Sequence, residues 1–178
     1  MLNFIFVLIL NFGIFPLSFG NKLSITKLNL GSKQLVEINA EMFEGMDNLE
    51  DLYLGGNNLT SVPLNTFMKL TKLKLLSLSR NQIEELPNGL FKNNVNLEEI
   101  YLGNNRLKFI GSTLFDRLTK LNDTQFRGNV CINKDSHGCS EIVQMKYDIK
   151  INCNFPTDVI KSEVKKNCVE KNNQNIEQ

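Results

Sequence analysis

From Ile25 onward the apolar side chains return every 24 residues. The repeats start at Ile25, Leu49, Leu73, Leu97 and Leu121. Three residues later stand Leu28, Leu52, Leu76, Ile100 and Thr124, and two beyond those Leu30, Leu54, Leu78, Leu102 and Phe126. The ninth position holds Lys33, Asn57, Asn81, Asn105 and Asn129, and the eleventh Leu35, Leu59, Ile83, Leu107 and Cys131. The fourteenth is Ile38, Val62, Leu86 and Ile110; the nineteenth is Phe43, Phe67, Phe91 and Phe115. Apolar residues at positions four and six predict a short strand in each coil with those side chains inward. One coil cannot bury its apolar face alone, so neighbours must stack and their strands must join as a parallel sheet. The Asn column has a physical task in such a stack. An amide both donates and accepts, and can satisfy backbone groups where the chain leaves the sheet. The Phe column is expected to fill the space between the sheet and the convex side, because its period is locked to the core.

The pattern L-x-x-L-x-L-x-x-N-x-L with a later Phe resembles the leucine-rich repeats of extracellular proteins in their 24-residue form, over residues 25 to about 131. The resemblance implies an α/β fold: a solenoid whose curved parallel sheet forms a horseshoe, closed by a cysteine-bearing C-terminal cap. It also implies a non-enzymatic protein that takes no cofactor and binds partners on its concave sheet. The family extends to Toll-like receptor ectodomains, adhesion and guidance proteins and small matrix proteins, which implies immune recognition or cell-surface interaction without choosing between them.

On each strand the side chains at positions three, five, seven and eight face away from the core and form the concave face. They are Lys27 and Asn29; Asp51 and Tyr53; Leu75, Ser77, Ser79 and Arg80; Glu99 and Tyr101; and Asp123, Gln125 and Arg127. Five strands make a face roughly 20–25 Å wide. Tyr53 and Tyr101 are its best anchors, large rigid groups with a polar tip, and Arg80 and Arg127 can meet carboxylates on a partner. The column Asp51, Leu75, Glu99, Asp123 is acidic apart from its Leu, which points to a basic partner.

Departures from the pattern mark the ends. Lys33 replaces the ladder Asn in the first coil, and Lys22, Lys27 and Lys33 lie near the N-terminal sheet edge. Either these charges keep other strands away or the edge is a homodimer contact. In the third coil Asn94 stands where the others carry Met46, Leu70 and Leu118, read as a local loop variation. At the other end Cys131 and Cys139 take the eleventh and nineteenth positions, and Cys153 and Cys168 follow. In a secreted chain four such cysteines read as two disulfides with three possible pairings. The resemblance implies first with third and second with fourth. A zinc site from Cys131, His137, Cys139 and Cys153 is the rival, but its spacing shows no C-x-x-C pair. Val143, Met145, Tyr147, Ile149, Ile151 and Cys153 alternate strictly, which predicts a half-buried strand. Residues 157–168 read as a short amphipathic helix and 169–178 as a polar, disordered tail.

Residues 1–20 carry no charged side chain, hold the apolar run Phe4 to Leu10, and end in Pro16, Ser18 and Gly20. They read as a signal peptide cut after Gly20, with an uncleaved anchor as the alternative. The organisation is then a signal peptide (1–20), a solenoid of about five coils (21–130), a cap (131–168) and a tail (169–178). The expected location is extracellular, and no membrane span is expected in the mature chain.

Twenty basic residues against nineteen acidic give a net charge of +1, which supplies no field to hold a nucleic acid. His137 is the only histidine, with no Ser or Asp at a recognisable catalytic spacing. Gly55-Gly56-Asn57-Asn58 lacks the Gly-Lys-Ser/Thr end of a phosphate loop. The partner expected from all this is an extracellular or cell-surface protein or a glycan. Inhibition of an extracellular enzyme and self-assembly as a structural subunit are the rivals. Two N-x-[ST] sequons, at Asn58 and Asn122, are candidate glycosylation sites.

Overall fold

The structure, a computed structural model, describes residues 25–153. Strands β1 (Lys27–Asn29), β2 (Asp51–Tyr53) and β3 (Leu75–Ser77) lie side by side and parallel. Strands β5 (Glu99–Tyr101) and β7 (Asp123–Gln125) continue the same sheet. Each residue pairs with the one 24 positions on, as in Leu52 with Leu76 and Leu76 with Ile100. In β2, β3, β5 and β7 the middle side chain is buried and the outer two face the concave surface. Two short strands, β4 (Glu85–Leu86) and β6 (Phe109–Ile110), pair further along their coils.

The predicted columns are the core. Phe43, Phe67, Phe91 and Phe115 follow one another with ring centroids 6.2, 6.3 and 6.1 Å apart. The fifth coil has no Phe at this position, and Phe126 ends the column edge-on to Phe115 at 6.0 Å. This explains why an aromatic ring replaces leucine at position six of that coil.

Each ladder Asn ties at least three backbone groups. Asn57 Nδ2 donates to the Leu30 and Leu54 carbonyls at 2.9 and 2.8 Å, while its Oδ1 accepts from the Leu35 N–H at 3.1 Å. Asn81, Asn105 and Asn129 repeat the arrangement one coil further each time. Asn94 does the donor half of this work on the convex side and is more than a loop variation. Fully buried, it donates from Nδ2 to the Phe67 and Leu70 carbonyls at 2.9 and 2.8 Å.

The C-terminal end differs from expectation in two ways. A sixth strand, β8 (Asp135–His137), pairs antiparallel with β7 and covers that edge of the sheet. Thr124, the polar residue in the otherwise apolar column, lies opposite Ser136, and both are buried. Small hydroxyl side chains facing one another suit a closely paired edge. The second difference is a correction: the segment predicted as a half-buried strand is helix α1 (Gly138–Asn152). Met145, Ile149 and Cys153 fit a period of two and a spacing of four equally well. Ile142, buried with them, completes a helical stripe, whereas Val143 and Tyr147 are half-buried and Ile151 is 53% exposed.

A disulfide joins Cys131 to Cys153, the first-with-third pairing, and ties the end of α1 to the fifth coil. The bond takes two of the four sulfur and nitrogen ligands of the zinc alternative. Residues 1–20, the 157–168 helix with Cys168, and the 169–178 tail lie outside the described residues.

Candidate functional site: the concave face

Strand register arranges the outward side chains in rows. One row runs Lys27, Asp51, Leu75, Glu99, Asp123, His137; the next runs Asn29, Tyr53, Ser77, Tyr101, Gln125, Asp135. Every residue of both rows is half-buried or exposed. Tyr53 and Tyr101 therefore flank Ser77, two strands apart, and Asp51 and Glu99 flank Leu75 in the same way.

Charges along the first row are partly matched within the chain. Lys27 Nζ lies 2.7 Å from Asp51 Oδ2. That hydrogen bond and the carboxylate charge raise the lysine above its ordinary range. The Tyr101 hydroxyl donates to Glu99 and also reaches Asp123 Oδ2 at 3.4 Å. His137 does have an acidic neighbour, contrary to the sequence reading: its Nδ1 stands 2.9 Å from Asp123 Oδ1. The antiparallel strand brings together two residues that no repeat spacing connects. Arg127 is likewise less free than expected, with Nη2 3.5 Å from Asp135 Oδ2, although its side chain stays exposed. Asp135 and His137 are the site residues that the sequence reading did not place. The polar Thr124 in an apolar column, beside Cys131 and Cys139 at core positions, was a signal that something other than a sixth regular coil follows.

Partial burial, then the bond to Glu99 and the nearby Asp123 and Glu99 charges, push the Tyr101 phenol above the ordinary tyrosine range. An unfolded chain ionises its tyrosines from about pH 10, while folded Tyr101 keeps its proton. The stabilisation is complete below that pH and is lost progressively as pH rises from it toward the higher value of the folded phenol. Urea unfolding at about pH 8 and about pH 10.5 is expected to show a shallower loss for Tyr101→Phe than for the parent. Equal losses would show that Tyr101 contributes nothing to alkaline sensitivity.

Arg80 stands at the rim, where the eighth position of every coil adopts a left-handed backbone. The φ values are 54° at Ser32, 70° at Gly56, 58° at Arg80, 55° at Asn104 and 80° at Gly128. Glycine enters this region without a Cβ penalty and arginine does not. Arg80→Gly is expected to raise stability by about 0.5–1 kcal/mol, read as a higher urea midpoint. A lower midpoint would mean that the arginine side chain holds the rim.

Asn58 and Asn122 are both exposed, and Asn122 immediately precedes β7. Among the described residues no group of three or more His, Cys, Asp and Glu side chains is placed to hold a metal ion. No helix of the described residues is long and apolar enough to cross a membrane.

Comparison with known proteins gives the stack its relatives. No curated protein sequence matches the chain. Among solved structures, the leucine-rich-repeat domain of APL1B is 29% identical with a TM-score of 0.58, over 61% of this chain and 32% of that one. The LRIM1/APL1C complex matches at 31% identity and a TM-score of 0.57, over 59% of this chain and 20% of that one. A TLR13 complex with the RNA ssRNA13 matches at 34% identity and a TM-score of 0.55, over 58% of this chain and 15% of that one. The matched part thus spans no more than a third of any of these structures. The leucine rich repeat family matches residues 24–83 and 71–129, the whole run of coils with its Asn and Phe columns, and the chain belongs to that family.

Proposed function

We propose that this protein is a secreted, non-enzymatic recognition module that binds an extracellular or cell-surface protein through its concave sheet. Leucine-rich-repeat domains are general protein-interaction modules, and the observation that carries the reading is the pair Tyr53 and Tyr101. Both are half-buried on the outward row of a rigid sheet and flank the small Ser77. Such rings offer contact area at little entropic cost. A role in innate immunity is supported by the kind of relative found: one similar structure is a complex of two proteins, LRIM1 and APL1C, and another is a Toll-like receptor. The uncharged leader-like residues 1–20 and the exposed sequons at Asn58 and Asn122 support secretion with glycan attachment. Three carboxylates against one lysine on the first concave row favour a protein partner over a nucleic acid.

The test is capture of partners from extracellular fluid and cell-surface extract, with Tyr53→Ala/Tyr101→Ala as the comparison. The double variant is expected to keep its thermal midpoint and to lose binding at least about tenfold. A partner captured equally by both proteins would move recognition away from the concave sheet.

A further inference from the structure

The concave sheet carries the same three-residue pattern twice, an acid, an inward aliphatic residue and a tyrosine. Asp51-Leu52-Tyr53 forms β2 and Glu99-Ile100-Tyr101 forms β5, with β3 between them. In the first copy the acid already holds a cation, the Lys27 ammonium 2.7 Å from Asp51. In the second copy no Lys or Arg among the described residues pairs with Glu99. Its partner is the Tyr101 hydroxyl, a neutral donor that orients the carboxylate and leaves its charge in place. Asp123 adds a second carboxylate in register on the adjacent strand, close enough for the same hydroxyl to reach it at 3.4 Å.

On the basis of the concave-face reading, we propose that Glu99, Tyr101 and Asp123 receive the guanidinium of an arginine presented by the protein partner. Charge complementarity calls for a cation, and the surroundings select its shape. The small Ser77 on β3 leaves a gap between tyrosines about 9–10 Å apart at the backbone given the usual strand spacing, and Leu75 lies beside it in the next row, between Asp51 and Glu99. A planar guanidinium fits in such a gap, stacks on a tyrosine face and directs two N–H groups at one carboxylate. An ammonium makes only a point contact. A glutamate or phosphate would meet like charge.

The probe is the peptide Gly-Gly-Arg-Gly-Gly with blocked ends, followed by ligand-observed saturation-transfer NMR on the full chain at low salt. Its comparison peptide carries citrulline, which keeps the shape and removes the charge. Transfer to the arginine methylenes is expected, with at least a fivefold smaller signal for citrulline. Glu99→Gln is expected to weaken arginine binding at least fivefold at an unchanged unfolding midpoint. Asp51→Asn, which removes an acid whose cation site is occupied, is expected to change it less than twofold. Equal signals for arginine and citrulline, or equal losses in Glu99→Gln and Asp51→Asn, would overturn the assignment. Partner capture separates this inference from the reading beneath it. Capture that needs the two tyrosines but survives Glu99→Gln keeps concave recognition and removes the arginine site.

Discussion

Replacing Asn81 by alanine is expected to destabilise the fold by about 3–5 kcal/mol, out of the roughly 5–15 kcal/mol that holds a typical domain together. The side chain is 7% exposed, and its Nδ2 donates to the Leu54 and Leu78 carbonyls at 3.1 and 2.9 Å. Its Oδ1 accepts from the Leu59 N–H at 3.1 Å. Alanine removes these three bonds and a longer one to the Ser79 carbonyl at 3.4 Å, and leaves the buried backbone groups facing the interior, each orphan costing about 1–3 kcal/mol before relaxation. Lys33→Ala is the internal control. Lys33 occupies the same repeat position at the start of the stack, and there its own backbone N–H is bonded by Asn57 Oδ1 at 2.9 Å. Its side chain takes no part in the ladder, so truncation should change stability by less than about 0.5 kcal/mol. Urea unfolding followed by far-UV circular dichroism reads both variants. A loss of under about 1 kcal/mol for Asn81→Ala would mean that water replaces the amide and that the ladder is not a structural requirement.

A loss of similar size, about 3–5 kcal/mol, is expected for Phe67→Ala, by a different mechanism. Phe67 is fully buried between Phe43 at 6.2 Å and Phe91 at 6.3 Å. Removing the ring forfeits its transfer from water and opens a cavity that the flanking coils, fixed by the ladder, cannot close. Phe67→Leu should cost less than half as much, since most of the volume stays filled. Combining Phe67→Ala with Phe91→Ala should cost less than the two single losses added, because the first cavity already strips contacts from the second ring. Strict additivity would show that the column is a set of separate sites.

Most of the stack was readable from the chain because its determinants are local and periodic. In each coil after the first, one residue at a fixed position is Asn, and the apolar positions either side of it fixed which faces turn inward. The predicted outward residues Asp51, Tyr53, Leu75, Ser77, Glu99, Tyr101, Asp123 and Gln125 all lie on the concave rows for the same reason. The cap was less legible because periodicity ends there. Between Val143 and Cys153 an alternating pattern and a helical one share three residues, and Ile142, outside the alternating set, breaks the tie. His137 meets Asp123 only because β8 turns back antiparallel, a contact between non-repeating segments that depends on the path of the whole cap. The backbone at Arg80 was hidden by its residue type, since glycine marks the left-handed turn openly at Gly56 and Gly128 and arginine masks it.

The constant register has a consequence for how this molecule can change. Strand partners are 24 residues apart, so excising a whole coil reunites equivalent positions, whereas losing one residue inside a strand turns its inward side chains outward. The number of strands therefore changes only in steps of one coil, and each step widens or narrows the concave sheet by one strand. Loss of the third coil would put β2 beside β5, with Tyr53 next to Tyr101 and the Ser77 gap gone. In this architecture the distance between recognition groups is counted in coils, and a change of specificity can come from copying or deleting a repeat while every residue in the remaining coils stays the same.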